Sequence, residues 1–568
     1  MLKLGKAFSD NLILEEKVKR RVVKEEEVSW WFGKGRALFF TTVFLVAFFI
    51  LVWRLFELTL VQGHRYRLLA DTNRTRDLIR HAARGVLLDR TGKALTVNIP
   101  RYILTKLCRE GEVCTERISQ EEGDQLSNEG LPKGWFLESE YIRQYPYGEA
   151  LAHVLGYMGE LSPKEFADDY YVLRNYLPGS FIGRMGAESA FEERLRGRDG
   201  RELVEIEANG DIVRSLGGEE ASPGEDVTLS VDAGLAQIVA KEFPLGSKGA
   251  VVVSKPSTGE ILVLFSSPSF VPEHVETVLN SPDEPLFNRA IGGVYPPGST
   301  FKIVTAIAAL EEGAIDKDTK VEDTGVIRIP PFTFPNWYFR EYGKTEGMVD
   351  IVKAIQRSND IFFYKTGEWL GITKLAAWAR NIGIGKPLGI EISGEAAGLM
   401  PDPSWKNLQF NTEVDRELRN NEWYLGDTYH VAIGQGYLLT TPLQVNTWTN
   451  IVANGGIVCK PTIRKLKSEC KGLNIQKETI DLITQGMKEA CTSGGTGWPL
   501  FDFQISVACK TGTAEFGDPN NRTHAWFTTF APAEDPEISV TVLVEGAGEG
   551  SNVAAPIAKK ILEAWFGR

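Results

Sequence analysis

No Cys-x-x-Cys pair occurs anywhere in the 568 residues, so the six cysteines do not read as a zinc ribbon. There is no internal repeat, no low-complexity tract and no phosphate-cradling glycine loop. A positive excess is missing as well. The net charge of −12 argues against nucleic acid as a partner. What is there is globular in balance, 43% hydrophobic and 24% charged, and long enough for more than one core.

A single long apolar run breaks the pattern, at 37–53 (ALFFTTVFLVAFFILVW). As a helix it spans about 25 Å, slightly short of a bilayer core. Leu55, Phe56 and the 58–61 stretch extend it, with Arg54 snorkelling at the far edge. A cleaved signal peptide is disfavoured, because the preceding tail is too long and no small-x-small cleavage site follows. Lys17, Lys19, Arg20, Arg21, Lys24, Lys34 and Arg36 precede the span, whereas Arg65 and Arg67 follow it. That asymmetry predicts a cytoplasmic amino terminus, one crossing of the inner (plasma) membrane and an extracytoplasmic bulk.

The chemistry is carried by Pro297-Gly298-Ser299-Thr300-Phe301-Lys302 and, far downstream, Lys510-Thr511-Gly512-Thr513. The turn before Ser299 and the apolar run 303–310 put the serine at a helix N-terminus, with Lys302 one turn on and on the same face. A serine hydroxyl needs a base within hydrogen-bond reach, and lysine serves as one only if burial and positive neighbours depress its pKa. The Ser299 amide, unpaired at a helix start, is a natural oxyanion donor. Between the two motifs lies Ser358-Asn359-Asp360, whose serine is placed to shuttle a proton. The run 507–514 reads as a strand on which Lys510 supplies charge and the Thr511 and Thr513 hydroxyls hold a carboxylate. There Gly512 lets backbone approach substrate, and the Thr513 amide completes the oxyanion pair.

In this order the three motifs resemble the penicillin-recognising serine enzymes, and the chain is similar to the elongation-type class B penicillin-binding proteins. The resemblance also rests on Met400-Pro401, Trp405-Lys406, Trp423-Tyr424-Leu425-Gly426-Asp427-Thr428, Ile433-Gly434-Gln435-Gly436-Tyr437, Thr441-Pro442-Leu443-Gln444 and His524-Ala525-Trp526-Phe527. Upstream, Arg84-Gly85-Val86-Leu87-Leu88-Asp89-Arg90-Thr91-Gly92 and Gly183-Arg184-Met185-Gly186-Ala187-Glu188 are similar to that family's non-catalytic module. The resemblance implies a serine-type D-Ala-D-Ala transpeptidase with carboxypeptidase-like side activity, acting on peptidoglycan stem peptides and covalently blocked by β-lactams. Ser299, Lys302 and Ser358 would be catalytic; Asp360, Lys510, Thr511, Gly512 and Thr513 would bind substrate. It implies no cofactor, and a membrane glycosyltransferase of the SEDS family (shape, elongation, division and sporulation) as partner. Some relatives carry a metal site built partly from a cysteine inside the second motif and a histidine just upstream. Asn359 and Glu346 stand at those positions here, so no metal is expected. Cys509 replaces the glycine common before Lys-Thr-Gly.

The expected fold is α/β (α+β): an antiparallel transpeptidase sheet flanked by helices, an extended α+β pedestal and one transmembrane helix. The domains are a tail (1–36), the membrane helix (37–58), the pedestal (59–225) and the transpeptidase (226–568), with the polar, turn-rich 216–226 as boundary. Strands 250–254 and 261–265 bracket a hairpin, 525–530 and 538–544 pair, and 553–566 closes the chain as a helix. His524, Phe362, Phe363 and Tyr364 read as packing, Gly434-Gln435-Gly436 as a tight turn, and Glu25-Glu26-Glu27 as a solvated face. Local spacing pairs Cys108 with Cys114 and Cys459 with Cys470, which leaves Cys491 with Cys509. A division-type relative, a β-lactam sensor and an inactive scaffold are the rival readings. The 423–428 block, the single span and the intact motifs disfavour them in turn.

Overall fold

The computed structural model describes residues 3–4, 14–15 and 30–567 except 108–112, 133–134, 178, 208–211 and 466–468. Lys17, Lys19, Arg20, Arg21 and Lys24, the Glu25–Glu27 run and Cys108 lie outside the described residues. Two compact units emerge: Met1–Asp77 with Leu203–Gly217, and Leu78–Glu202 with Gly218–Arg568.

In the first unit the apolar run forms α1, Trp30–Phe56. It starts seven residues earlier than the sequence reading and runs through Gly33 and Gly35. It then continues as one π-turn, Glu57–Val61, so that Gly35–Val61 is long and apolar enough to cross a membrane. No residue of its most apolar stretch is buried, and Arg54 is ion-paired to Glu57 at 2.6 Å near its end.

In the second unit, strands β1 (Val97–Leu107), β2 (Val113–Ile118) and β3 (Trp135–Gln144) form an antiparallel sheet with β1 central. Close by, Glu188 is buried beneath two guanidinium groups, accepting from Arg84 Nε and Arg143 Nε at 2.7 Å each. Arg84 also reaches Glu192, and Arg143 reaches Asn98. A two-residue parallel pairing of Val227 and Thr228 with Leu87 and Leu88 ties this part to the rest of the unit.

The remainder is organised by five antiparallel strands: β4 (Gly249–Ser254), β5 (Ile261–Ser267), β6 (Ala508–Glu515), β7 (Thr523–Ala531) and β8 (Ile538–Val544), in the order β5-β4-β8-β7-β6. The expected hairpin, β4 with β5, and the pair β7 with β8 are both present. Strand β8 is buried along its whole length, as a strand covered on both faces must be. Helices α2 (Ala233–Glu242) and α9 (Ala554–Phe566) cover one face; α7 (Pro442–Ala453) and α8 (Lys477–Ala490) lie on the other. Beneath α8, α3 (Lys302–Glu311) packs on α5 (Asp360–Leu370) and α4 (Ile351–Gln356), while α6 (Leu425–Ala432) packs against α5. Phe362, Phe363 and Tyr364 belong to this core, as read from the sequence.

Candidate active site

Strand β6 is an edge strand, so one side of it pairs with β7 and the other faces an open cleft of about 1480 Å³. That exceeds the usual range of small-molecule pockets. Its lining includes Ser299, Ser358, Asp360, Thr496, Thr511 and Thr513.

Ser299 sits in a 3-10 turn, Gly298–Phe301, and the α-helix begins only at Lys302. The turn is held from three directions. Gly298 N donates to Gly434 O at 2.8 Å, Trp526 Nε1 donates to Pro296 O at 2.9 Å, and Tyr295 N donates to Thr440 O. The contact with Gly434 requires glycine: its φ is +81°, and a Cβ there would lie 2.0 Å from Gly298 O. The tight turn expected at 434–436 therefore backs the turn that carries Ser299. Gly512 is packed tightly on its Cα side. A Cβ on it would meet Trp526 Cβ at 2.9 Å, Thr300 Cγ2 at 3.0 Å and Pro297 O at 3.2 Å, so its bare backbone lets β7 and the serine turn pack close.

Lys302, fully buried, donates to Asp360 Oδ1 at 2.7 Å, to Ser358 O at 2.8 Å and to Ser358 Oγ at 3.3 Å. Lys510, also fully buried, donates to the same Ser358 Oγ at 2.8 Å and to Thr511 O at 3.0 Å. Ser358 has φ +53°, a left-handed conformation that costs a non-glycine residue strain and turns its carbonyl and hydroxyl together toward Lys302. Burial pushes the Lys302 ammonium below its ordinary pKa, and Asp360 opposes that push without cancelling it. Lys510 is driven down harder, by burial and then by the charge of Lys302.

Asp360, read from the sequence as a substrate contact, has both oxygens engaged: Oδ1 by Lys302 and Oδ2 by the Trp337 amide at 2.8 Å. Behind it lies a network the sequence reading missed. Asp323, buried, accepts from Asn336 Nδ2 (2.8 Å), Asn359 Nδ2 (3.0 Å) and the Glu346 amide (2.9 Å). Asn336 Oδ1 in turn accepts from Asp360 N at 3.1 Å, and Asn359 Oδ1 caps α5. The Glu346 carboxylate takes Arg357 Nε at 2.8 Å. Among the described residues no group of three or more His, Cys, Asp or Glu converges. His524 accepts the Gly546 amide and stacks on Phe516 at 4.1 Å, which agrees with a packing reading.

The disulfides Cys459–Cys470 and Cys491–Cys509 are both formed, as paired from the sequence. Cys114 is disulfide-bonded too, and its expected partner Cys108 is outside the described residues.

A cleft that Ser299 lines, with Ser358 bridging two buried lysines and an edge strand along its side, has the parts of a serine acyl-transfer site. Residues 249–563 match the penicillin-binding protein transpeptidase domain, and 109–229 match the penicillin-binding protein dimerisation domain. The peptidoglycan D,D-transpeptidase MrdA of Acinetobacter baumannii is 31% identical, over 94% of this chain and 88% of the relative. Penicillin-binding protein 2 of Helicobacter pylori, solved in complex with MreC, superposes with a TM-score of 0.76 at 26% identity, covering 87% of this chain and 99% of that one. A chain from a structure described as the structural coordination of polymerization and crosslinking by a peptidoglycan synthase complex superposes at 0.71 with 29% identity, over 94% and 98%. The chain belongs to the penicillin-binding transpeptidases. Within them it is a class B protein of the penicillin-binding protein 2 type, an elongation-type D,D-transpeptidase, and with its apolar helix it is membrane-anchored.

Proposed function

We propose that Ser299 attacks the penultimate D-Ala carbonyl of a D-Ala-D-Ala stem peptide, with neutral Lys302 accepting its proton. The carbonyl oxygen is stabilised by the amides of Ser299 and Thr513. Ser358 relays the proton to the departing D-Ala, and an amine from a second stem resolves the acyl-enzyme. Lys510, Thr511 and Thr513 hold the terminal carboxylate. The observation that carries this reading is the Ser358 hydroxyl, within 3.3 Å of Lys302 Nζ and 2.8 Å of Lys510 Nζ. One proton carrier thereby links the base to the strand that takes the leaving group's carboxylate.

The pedestal expected at 59–225 and the catalytic domain at 226–568 stand outside the inner membrane, the amino terminus inside. The polymerase partner is a SEDS-family glycosyltransferase, supported by the likeness to a chain of a synthase complex. Fluorescent penicillin tests the chemistry. We expect one stable adduct per chain, lost in Ser299→Ala and formed at least ~100-fold more slowly in Lys302→Ala, the scale of a removed general base. Rapid turnover of the penicillin by the purified protein would instead make it a β-lactamase and end this reading.

A further inference from the structure

Residues 491–507 join α8 to β6, and the first part of that connection forms one wall of the cleft through Gly495 and Thr496. The Cys491–Cys509 disulfide ties the end of α8 to the strand position immediately before Lys510. The loop folds back on those sulfurs. A Cβ on Gly497 would lie 2.6 Å from Cys509 Sγ and 2.9 Å from Cys491 Sγ, and one on Gly495 would lie 2.2 Å from Ala490 O. Gly497 N donates to Ala490 O at 2.7 Å. Thr496 is therefore held between two positions that admit nothing larger than glycine. From the other wall Arg357, next to Ser358, donates to Gly494 O at 2.6 Å. So fixed, Thr496 Oγ1 lies 2.8 Å from Thr511 Oγ1 and accepts its proton.

We propose that Thr496 is a positioning residue for the carboxylate subsite, and that the Cys491–Cys509 bridge keeps it there. The inference rests on the reading that Thr511 binds the substrate's terminal carboxylate. Thr511 has one hydroxyl proton, and a carboxylate only accepts. When the carboxylate arrives, the Thr511 proton turns to it, and Thr496 rotates to donate its own proton to the Thr511 oxygen. Two hydroxyls then act in series on one negative charge, each bond polarising the next. A loop free to move would surrender that second hydroxyl.

The full-length protein and its variants are labelled with fluorescent penicillin and, separately, with the methyl ester of the same compound. In Thr496→Val the ratio of acid to ester acylation rates should fall by up to about tenfold, the upper end of the scale of one hydrogen bond between neutral groups. Thr496→Ser should restore it. The double variant Cys491→Ser/Cys509→Ser should show the same fall, with Thr496→Val adding little on top. An unchanged ratio in Thr496→Val, failure of serine to rescue, or full acid preference without the bridge would each overturn the proposal. Absence of labelling in the wild type would overturn the transpeptidase reading instead.

Discussion

Lys302 has no exposed surface and one adjacent carboxylate, and the two act on its proton in opposite senses. Burial favours the neutral amine and Asp360 favours the ammonium, so the base is available above a depressed pKa. Acylation should accordingly rise with pH along a limb set by Lys302. Asp360→Asn removes the influence that holds the proton on, so the limb should move to lower pH while the plateau drops as Lys302 loses its anchor. Penicillin-labelling rates measured across pH check this, and a limb that stays put or moves upward would contradict it. Spacing made Ser299, Lys302, Ser358 and Lys510 legible because each stands in a short local motif. The Asp323 network was not legible. Its asparagines lie 13 and 36 residues away, and a buried aspartate held by amides leaves no local pattern.

At the scale of elements, the hairpin of β4 and β5 and the pairing of β7 with β8 were readable, because long β-branched runs between turn residues have few alternatives. The edge position of β6 was not, since strand order depends on crossovers the sequence does not encode locally. Nor was the parallel contact of Val227 with Leu87, two residues long and far apart in the chain. Near β1 and β3 the stabilising element is polar. Glu188 balances Arg84 and Arg143, whose side chains are 9% and 5% exposed. Replacing Glu188 by Ala strips Arg143 of its carboxylate and leaves Arg84 with Glu192 as its one carboxylate, a loss of about 3 kcal/mol, the lower end of the usual scale for breaking a buried pair. Urea unfolding should register it, and a change under ~1 kcal/mol would mean that the pairs merely offset their own desolvation.

For the whole molecule, the acid side of the stability curve is set by histidines that fold neutral. His153 is buried, with Nε2 on Pro285 O at 2.8 Å and its ring edge against Phe270, and burial pulls its pKa to about 4. Burial beside Phe516 takes His524 to about 4 as well, against a weaker upward pull from Glu545. Both pKa values are lower folded than unfolded, so the unfolded chain binds protons first as the pH falls from about 6.5. Stability is therefore complete above that pH and is lost progressively toward pH 4, by at most about 3 kcal/mol per histidine. Depressed carboxylates such as Asp518 and Glu165, both at about 2, lose their contribution mainly at lower pH, which keeps the two windows apart. Urea midpoints between pH 7 and 4.5 should fall steadily in the wild type. In His153→Gln, which keeps a donor for the Pro285 carbonyl, they should fall less steeply, with His524 and His430, both held low by burial, still contributing and His81, raised by its bond to Asp199, opposing them. A wild-type midpoint flat over that interval would mean that both rings reach water before they titrate.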